Sequence, residues 1–307
     1  MHKAFLSSAL LLLAVSCGTS APSSPVAQQQ AVSAQALTPR PQGSPDVAIF
    51  VVSGRCGARC DDAPNDNWNY LEGQGTLNAF AQTFRAMGKS VATYGYSAHL
   101  RRHHSNLSGK EERGFLDMEA QIQFAVNNWV RGRKNPTRLV LVGHSHGTNW
   151  THNFVRVYPD VTFDYLIDLD GICLGWEGDH RPFIQAYYAE RGGNPWREDI
   201  SKACGQVDAG GLTKYDHKDV AYPNVRYNLE VQSQRATDQP VNLDPTTGVE
   251  GNTNLLFDTV DNVRKNGTRT GIFTFLSYDE THNEIQLPGS EAMTWLQGKI
   301  IQLGLPN

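Results

Sequence analysis

Residues 138–147 read Arg-Leu-Val-Leu-Val-Gly-His-Ser-His-Gly. Leu139, Val140, Leu141 and Val142 form an unbroken apolar run, the pattern of a parallel strand buried on both faces. Gly143 ends the run, and residues 148–158 carry a helix-like pattern that Pro159 closes. Ser145 therefore stands on a sharp turn between a buried strand and a helix. A serine hydroxyl is a poor nucleophile unless it is exposed, beside a base and close to donors for a developing oxyanion, and a turn of this kind supplies the exposure. Gly143 and Gly147 have no Cβ to collide where strand end and helix start nearly touch, so they permit a strained backbone at Ser145.

Outward from this turn, strand-like and helix-like segments alternate. Strands are predicted over residues 47–52, 90–96, 138–142, 163–169, 225–231 and 272–276, with helices over 77–87, 115–131, 148–158, 253–264 and 292–302. Such alternation predicts an α/β fold with a doubly wound, mostly parallel sheet of about six strands. Ligands on such sheets sit at the carboxyl ends of the strands, where Ser145 lies. Residues 171–223 are far longer than an ordinary connection and form an insertion.

The chain has 307 residues, 39% of them hydrophobic, enough for one large domain with a substantial core over residues 46–307. Residues 1–16 have a positive start at Lys3 and an apolar block from Phe5 to Val15, too short to span a bilayer, and read as an export signal. Leu13-Ala14-Val15-Ser16-Cys17 resembles the lipobox of bacterial lipoproteins, which implies lipidation of Cys17. Residues 17–45 are rich in Ser, Ala, Pro, Gln and Thr, with no periodic apolar face, and read as a disordered tether. The expectation is an exported domain in the cell envelope, held to a membrane through a lipid anchor only.

With Cys17 lipidated, Cys56, Cys60, Cys173 and Cys204 remain, an even number in an oxidising compartment. Four cysteines allow three pairings, and the spacing favours Cys56 with Cys60 and Cys173 with Cys204. The net charge of −4, with no long basic run, argues against a nucleic-acid partner. His99, Arg101, Arg102, His103 and His104 form the densest basic cluster and read as a solvated loop.

The sequence Gly-His-Ser-His-Gly at 143–147, inside an alternating β/α chain, resembles the nucleophile elbow of the α/β-hydrolase superfamily over roughly residues 46–303. The family usually has two strands before the first one here, so the resemblance implies a compact version of that fold. It also implies a histidine in the loop after the last strand. His282, in Ser-Tyr-Asp-Glu-Thr-His-Asn-Glu-Ile, is the only histidine after His217. There it would act as general base to Ser145.

A carboxylate should orient that imidazole. Asp238, followed by Gln239, Pro240 and Val241, resembles the family's acid loop and is the first choice; Asp170 in Ile-Asp-Leu-Asp-Gly is the alternative. Asp168 falls inside a strand, Asp244 is a further candidate, and Asp258 and Asp261 read as helix surface charges. The resemblance places the oxyanion donors on the amides of His146 and of Arg55, in Ser-Gly-Arg-Cys-Gly after the first strand. In the insertion, Trp176, Phe183, Tyr187, Tyr188 and Trp196 either line an apolar acyl pocket under a cap or form a small core of their own.

His144 and His146, with His103 and His104, invite a metal reading, but adjacent residues on a turn diverge, so no metal site is assigned. The implied activity is hydrolysis of a small-molecule or lipid ester with no cofactor. The same groups would serve an amide or thioester, and a non-catalytic surface binding lipoprotein is the rival of a different class.

Overall fold

The computed structural model describes residues 36–56, 62–211, 214–235 and 258–305. The export signal, Cys17, Cys60, Asp238 and Asp244 lie outside them. Six parallel strands form the central sheet: β1 (Val47–Val52), β2 (Val91–Tyr96), β3 (Arg138–His144), β4 (Phe163–Leu169), β5 (Val225–Ser233) and β6 (Ile272–Ser277). Their spatial order is β6-β5-β4-β3-β1-β2, the doubly wound α/β arrangement expected from the alternation. The order reverses between β1 and β3. A doubly wound sheet opens its ligand crevice at the carboxyl ends flanking that reversal.

The period of two along each strand divides the core. In β1, Ala48, Phe50 and Val52 face one layer with Phe115, Trp150 and Phe154, whereas Val47, Ile49 and Val51 face the other with Phe80, Phe84 and Leu296. Helices α1 (Thr76–Ala86) and α5 (Glu291–Leu303) cover the second face. The first is covered by α2 (Phe115–Ala125), which runs into a π-helical turn at Val126–Val130, and by α3 (His146–Val157).

Helix α3 is buried at every position because the insertion lies over it. Its polar side chains bind that cover: Asn149 donates to the Ile172 carbonyl at 2.6 Å, Asn153 to the Ile200 carbonyl at 2.9 Å and Arg156 to the Asp199 carbonyl at 2.7 Å. The insertion holds α4 (Trp176–Glu190), a 3-10 turn at Ile200–Lys202, and a two-stranded hairpin of Gln206–Asp208 with Lys214–Asp216. The Cys173–Cys204 disulfide closes it, as the spacing favours, with the two Cα atoms 5.6 Å apart. Cys56 is also disulfide-bonded.

Two expectations are corrected. Residues 258–262 are not helical, and Val263–Arg264 pairs as a short strand with Val220–Ala221. The reason is that Asp258 and Asn262 point inward, to Lys218 at 3.0 Å and to the Asp168 carboxylate at 2.8 Å, which an outward-charged helix would forbid. The described end of the segment read as a tether is docked on the domain: Thr38 exchanges backbone hydrogen bonds with Gly132 and Lys134, and Arg40 pairs with Asp46 at 2.6 Å. Among the described residues no helix is long and apolar enough to cross a membrane.

Candidate active site

Ser145 sits between β3 and α3 at φ +57° and ψ −128°, a conformation that only close packing maintains for a residue with a side chain. The glycines around it are sterically required. A Cβ at Gly147 would lie 2.0 Å from the Val52 carbonyl oxygen, one at Gly143 2.5 Å from the Thr148 backbone, and one at Gly54 2.4 Å from the Ser145 Cβ. The last contact shows that the loop after β1 and the apex after β3 meet, at the reversal of strand order.

His282 lies in the loop between β6 and α5, and its Nδ1 is 2.7 Å from Oδ2 of Asp170. Asp170 follows β4 at φ +49°. Its other oxygen accepts the main-chain N–H groups of Ser233, at 3.2 Å, and Asp258, at 3.1 Å. Burial pushes the Asp170 carboxyl up, to about 8, against the pull of these two N–H groups and of Lys218. Burial likewise pushes His282 down, to about 4. Both directions express one fact: this dry pair resists carrying net charge in either sense.

The carboxylate that meets His282 is thus the alternative acid, and the first choice, Asp238, lies outside the described residues. Asp170 follows β4, the immediate neighbour of β3 in the sheet. Asp168, one turn of the pleat earlier, is occupied elsewhere, accepting from His152, Asn228 and Asn262 at 3.0, 2.6 and 2.8 Å. Asp258 is buried against Lys218, and Asp261 pairs with Arg269 at the surface; neither lies on a helix.

A second network joins the elbow to His282 from the opposite side. The carbonyl of His282 can only accept, so His144 Nε2, at 2.8 Å, donates to it. His144 Nδ1 must then accept from the Tyr70 hydroxyl at 2.6 Å, and that hydroxyl accepts from the Gly54 N–H at 2.6 Å. The His144 ring stacks on His282 with centroids 4.5 Å apart, and burial holds it well below the usual histidine range, hence neutral. Sequence reasoning passed over Tyr70 entirely. The only signal was a tyrosine following an N-cap asparagine at the start of a four-residue helix, Tyr70–Gly73.

The main-chain N–H groups of His146 and Arg55 have no partner among the described residues, whereas those of Gly54 and Cys56 are taken by Tyr70 and Asn67. The Arg55 side chain reaches α4, its Nε 2.8 Å from Asp179. The four histidines considered for a metal do not converge. His144 is engaged as described, His103 bonds the Asn67 carbonyl at 2.9 Å, His104 faces Glu111 at the surface, and His146 turns toward α4.

The aromatic residues of the insertion do not line an open apolar pocket. Trp176 is fully buried against Trp150, and Trp196 packs on Phe115, Tyr187 and Tyr188, so they extend the core over α2 and α3. A cleft of about 180 Å³ does open beside Asp170, lined by residues 171–174, 258–260 and the acids and lysine of 216–219.

No family model matches the chain, and no curated protein matches it. Solved structures similar to it include Est1E from Butyrivibrio proteoclasticus with bound ferulic acid, at 13% identity over 86% of this chain and 91% of that one, with a TM-score of 0.37. The metagenome-derived lipolytic enzymes LipS and LipT give 14% identity over 87% and 94%, with a TM-score of 0.38. Mouse alpha/beta hydrolase domain-containing protein 10 gives 11% over 83% and 88%, with a TM-score of 0.39.

Proposed function

We propose that the chain is a serine hydrolase of small-molecule or lipid carboxylic esters. The observation that carries this reading is the 2.7 Å contact between His282 Nδ1 and Asp170, in the loop that His144 ties to the strained elbow of Ser145. In this mechanism Ser145 Oγ attacks the ester carbonyl while His282 Nε2 takes its proton. Asp170 holds the imidazole with its proton on Nδ1 and stabilises the imidazolium. The N–H groups of His146 and Arg55 donate to the tetrahedral oxyanion. His282 then protonates the leaving alcohol, and water releases the acyl enzyme by the same steps in reverse. Acyl transfer of this kind asks for no cofactor.

The proposal includes export, with Cys17 carrying lipid and residues 18–35 leading to the domain. A fluorophosphonate probe applied to the purified chain tests the chemistry: one adduct on Ser145, lost in Ser145→Ala, is expected, and equal labelling of both proteins refutes it. A panel of matched ester, thioester and amide substrates then reads the leaving group; faster turnover of the amide or thioester refutes the ester assignment.

A further inference from the structure

Beside the elbow, on α3 and α4, lies a group of side chains that the hydrolase reading does not use. His146 Nε2 donates to the Leu174 carbonyl at 2.8 Å, which leaves the Nδ1 lone pair pointing at α4. There it meets the Asp179 carboxylate at 3.8 Å. His180 follows on the same helix, 1% exposed, and neither of its ring nitrogens has a partner among the described residues; His146 Nδ1 has no hydrogen-bond partner either. Leaving a buried polar atom unsatisfied costs about 1–3 kcal/mol, so three on two facing imidazoles need a reason.

One donor atom from each of His146, Asp179 and His180 lies within 4.8 Å of the other two. Two imidazole nitrogens and a carboxylate oxygen form a donor set suited to zinc, whose bonds of about 2.0–2.1 Å place tetrahedral ligand atoms roughly 3.3 Å apart. A contraction of about 1–1.5 Å would close the group on a metal of that size. The rings of Trp150 and Trp176, each 5.2 Å from that of His180, wall it in, so the group shrinks toward His146.

We propose that His146, Asp179 and His180 bind one zinc-type divalent cation, with water in the fourth position, pinning α4 to the first residue of α3. The site shares His146 with the proposed hydrolase chemistry, through its ring and not its main-chain N–H, and supplies no step of that chemistry. It gives the chain a metal that the sequence did not signal, because His146 and the pair Asp179-His180 are 33 residues apart and share no ligand spacing. Arg55 is the competitor, since its Nε sits on the same Asp179 oxygen at 2.8 Å. Only Arg55 of that pair is well exposed, its side chain at 39% against 15% for Asp179, and the cation has to displace it to reach the carboxylate.

The test uses tag-free, chelator-treated chain titrated with zinc chloride by calorimetry, followed by dialysis and metal analysis. One zinc per chain is expected. Asp179→Asn, which keeps the shape of a side chain 15% exposed, and His180→Gln should each weaken binding at least tenfold, whereas the pair His103→Gln/His104→Gln, outside the group, should leave it unchanged. Cobalt substitution should give the visible absorption of a four-coordinate site, lost in Asp179→Asn. Melting curves of the metal-free variants check that the substitutions preserve the fold, and Asp179→Asn keeps the test decisive if His180→Gln unfolds. Failure of the parent chain to retain zinc, or equal retention by a folded Asp179→Asn, overturns the proposal. Neither readout depends on ester hydrolysis.

Discussion

Replacing Asp170 by asparagine separates orientation of the imidazole from every other function of that side chain. Asparagine tolerates the φ of +49° at this position better than other non-glycine residues except aspartate. Its carbonyl oxygen can keep accepting the N–H groups of Ser233 and Asp258, now at 3.2 and 3.1 Å. Keeping those bonds turns the new NH2 group toward His282 Nδ1, where the carboxylate oxygen stood at 2.7 Å. A donor there forces the ring proton onto Nε2, the nitrogen that receives the serine proton in the proposed mechanism.

The expected outcome of Asp170→Asn is therefore a folded protein whose kcat/KM for a short-chain nitrophenyl ester falls by about a thousand- to ten-thousandfold. That is about 4–5.5 kcal/mol of lost transition-state stabilisation. The pH dependence supplies a second readout. In the parent chain the pair takes up a proton on acidification and loses its competent form, so activity should rise with pH through one ionisation. Its midpoint should lie between the lowered histidine value of about 4 and the raised aspartate value of about 8. In the variant no anion favours the imidazolium, so the limb of the residual activity moves to lower pH. Asp238→Asn is the comparison. A drop below tenfold in Asp170→Asn together with a large drop in Asp238→Asn would refute the assignment of the acid.

Further outcomes follow from particular contacts. Gly147→Ala would bring a Cβ to 2.0 Å from the Val52 carbonyl, and with no flexible atom to yield it should cost about 3 kcal/mol or more in urea unfolding and remove activity. Lys218→Met leaves Asp219 and Asp258 buried without their cation, a loss of about 3–5 kcal/mol at neutral pH. Burial already pushes Asp219 up, to about 6, so this loss should shrink as pH falls toward the unfolded carboxyl range and both acids protonate. Cys173→Ser/Cys204→Ser opens a loop with a sequence separation of 31, worth about 4 kcal/mol by chain entropy, which thermal melting under oxidising conditions should show.

The centre of the sheet was legible because β1, β3 and β4 are buried on both faces. Val47–Val52 matches its expected bounds since an uninterrupted apolar run has no other stable home in a chain of alternating elements, and Phe163–Leu169 matches too although it carries the buried Asp164 and Asp168. The elbow was legible for a local reason as well, because the glycine spacing is dictated by backbone contact over a few residues. The acid was less legible. Asp238 and Asp170 both follow strands, and what favours Asp170 is its 2.7 Å contact with His282, which only the assembled sheet brings about. Residues 258–264 misled for the same reason: Asp258 looks solvent-facing until Lys218, distant in sequence, is placed against it, and Glu230 accepts the Asn262 main-chain N–H.

The relay from Gly54 through Tyr70 and His144 to His282 shows how the two sides of the site depend on one another. Tyr70 uses its hydroxyl twice, as acceptor from Gly54 and as donor to His144, so the loop that carries Arg55 and, through His144, the loop that carries His282 depend on a single buried oxygen. Tyr70→Phe would remove both bonds at once, leaving an N–H and a ring nitrogen unsatisfied at about 1–3 kcal/mol each. Because His144 can then rotate or take the other tautomer, its bond to the His282 carbonyl loosens too. The expected signature is a fall in kcat larger than any rise in KM, since placement of the base and of the oxyanion donor matters most in the transition state. Stability alone does not predict that split: a merely structural tyrosine would lower the melting temperature while leaving kcat of the folded fraction intact.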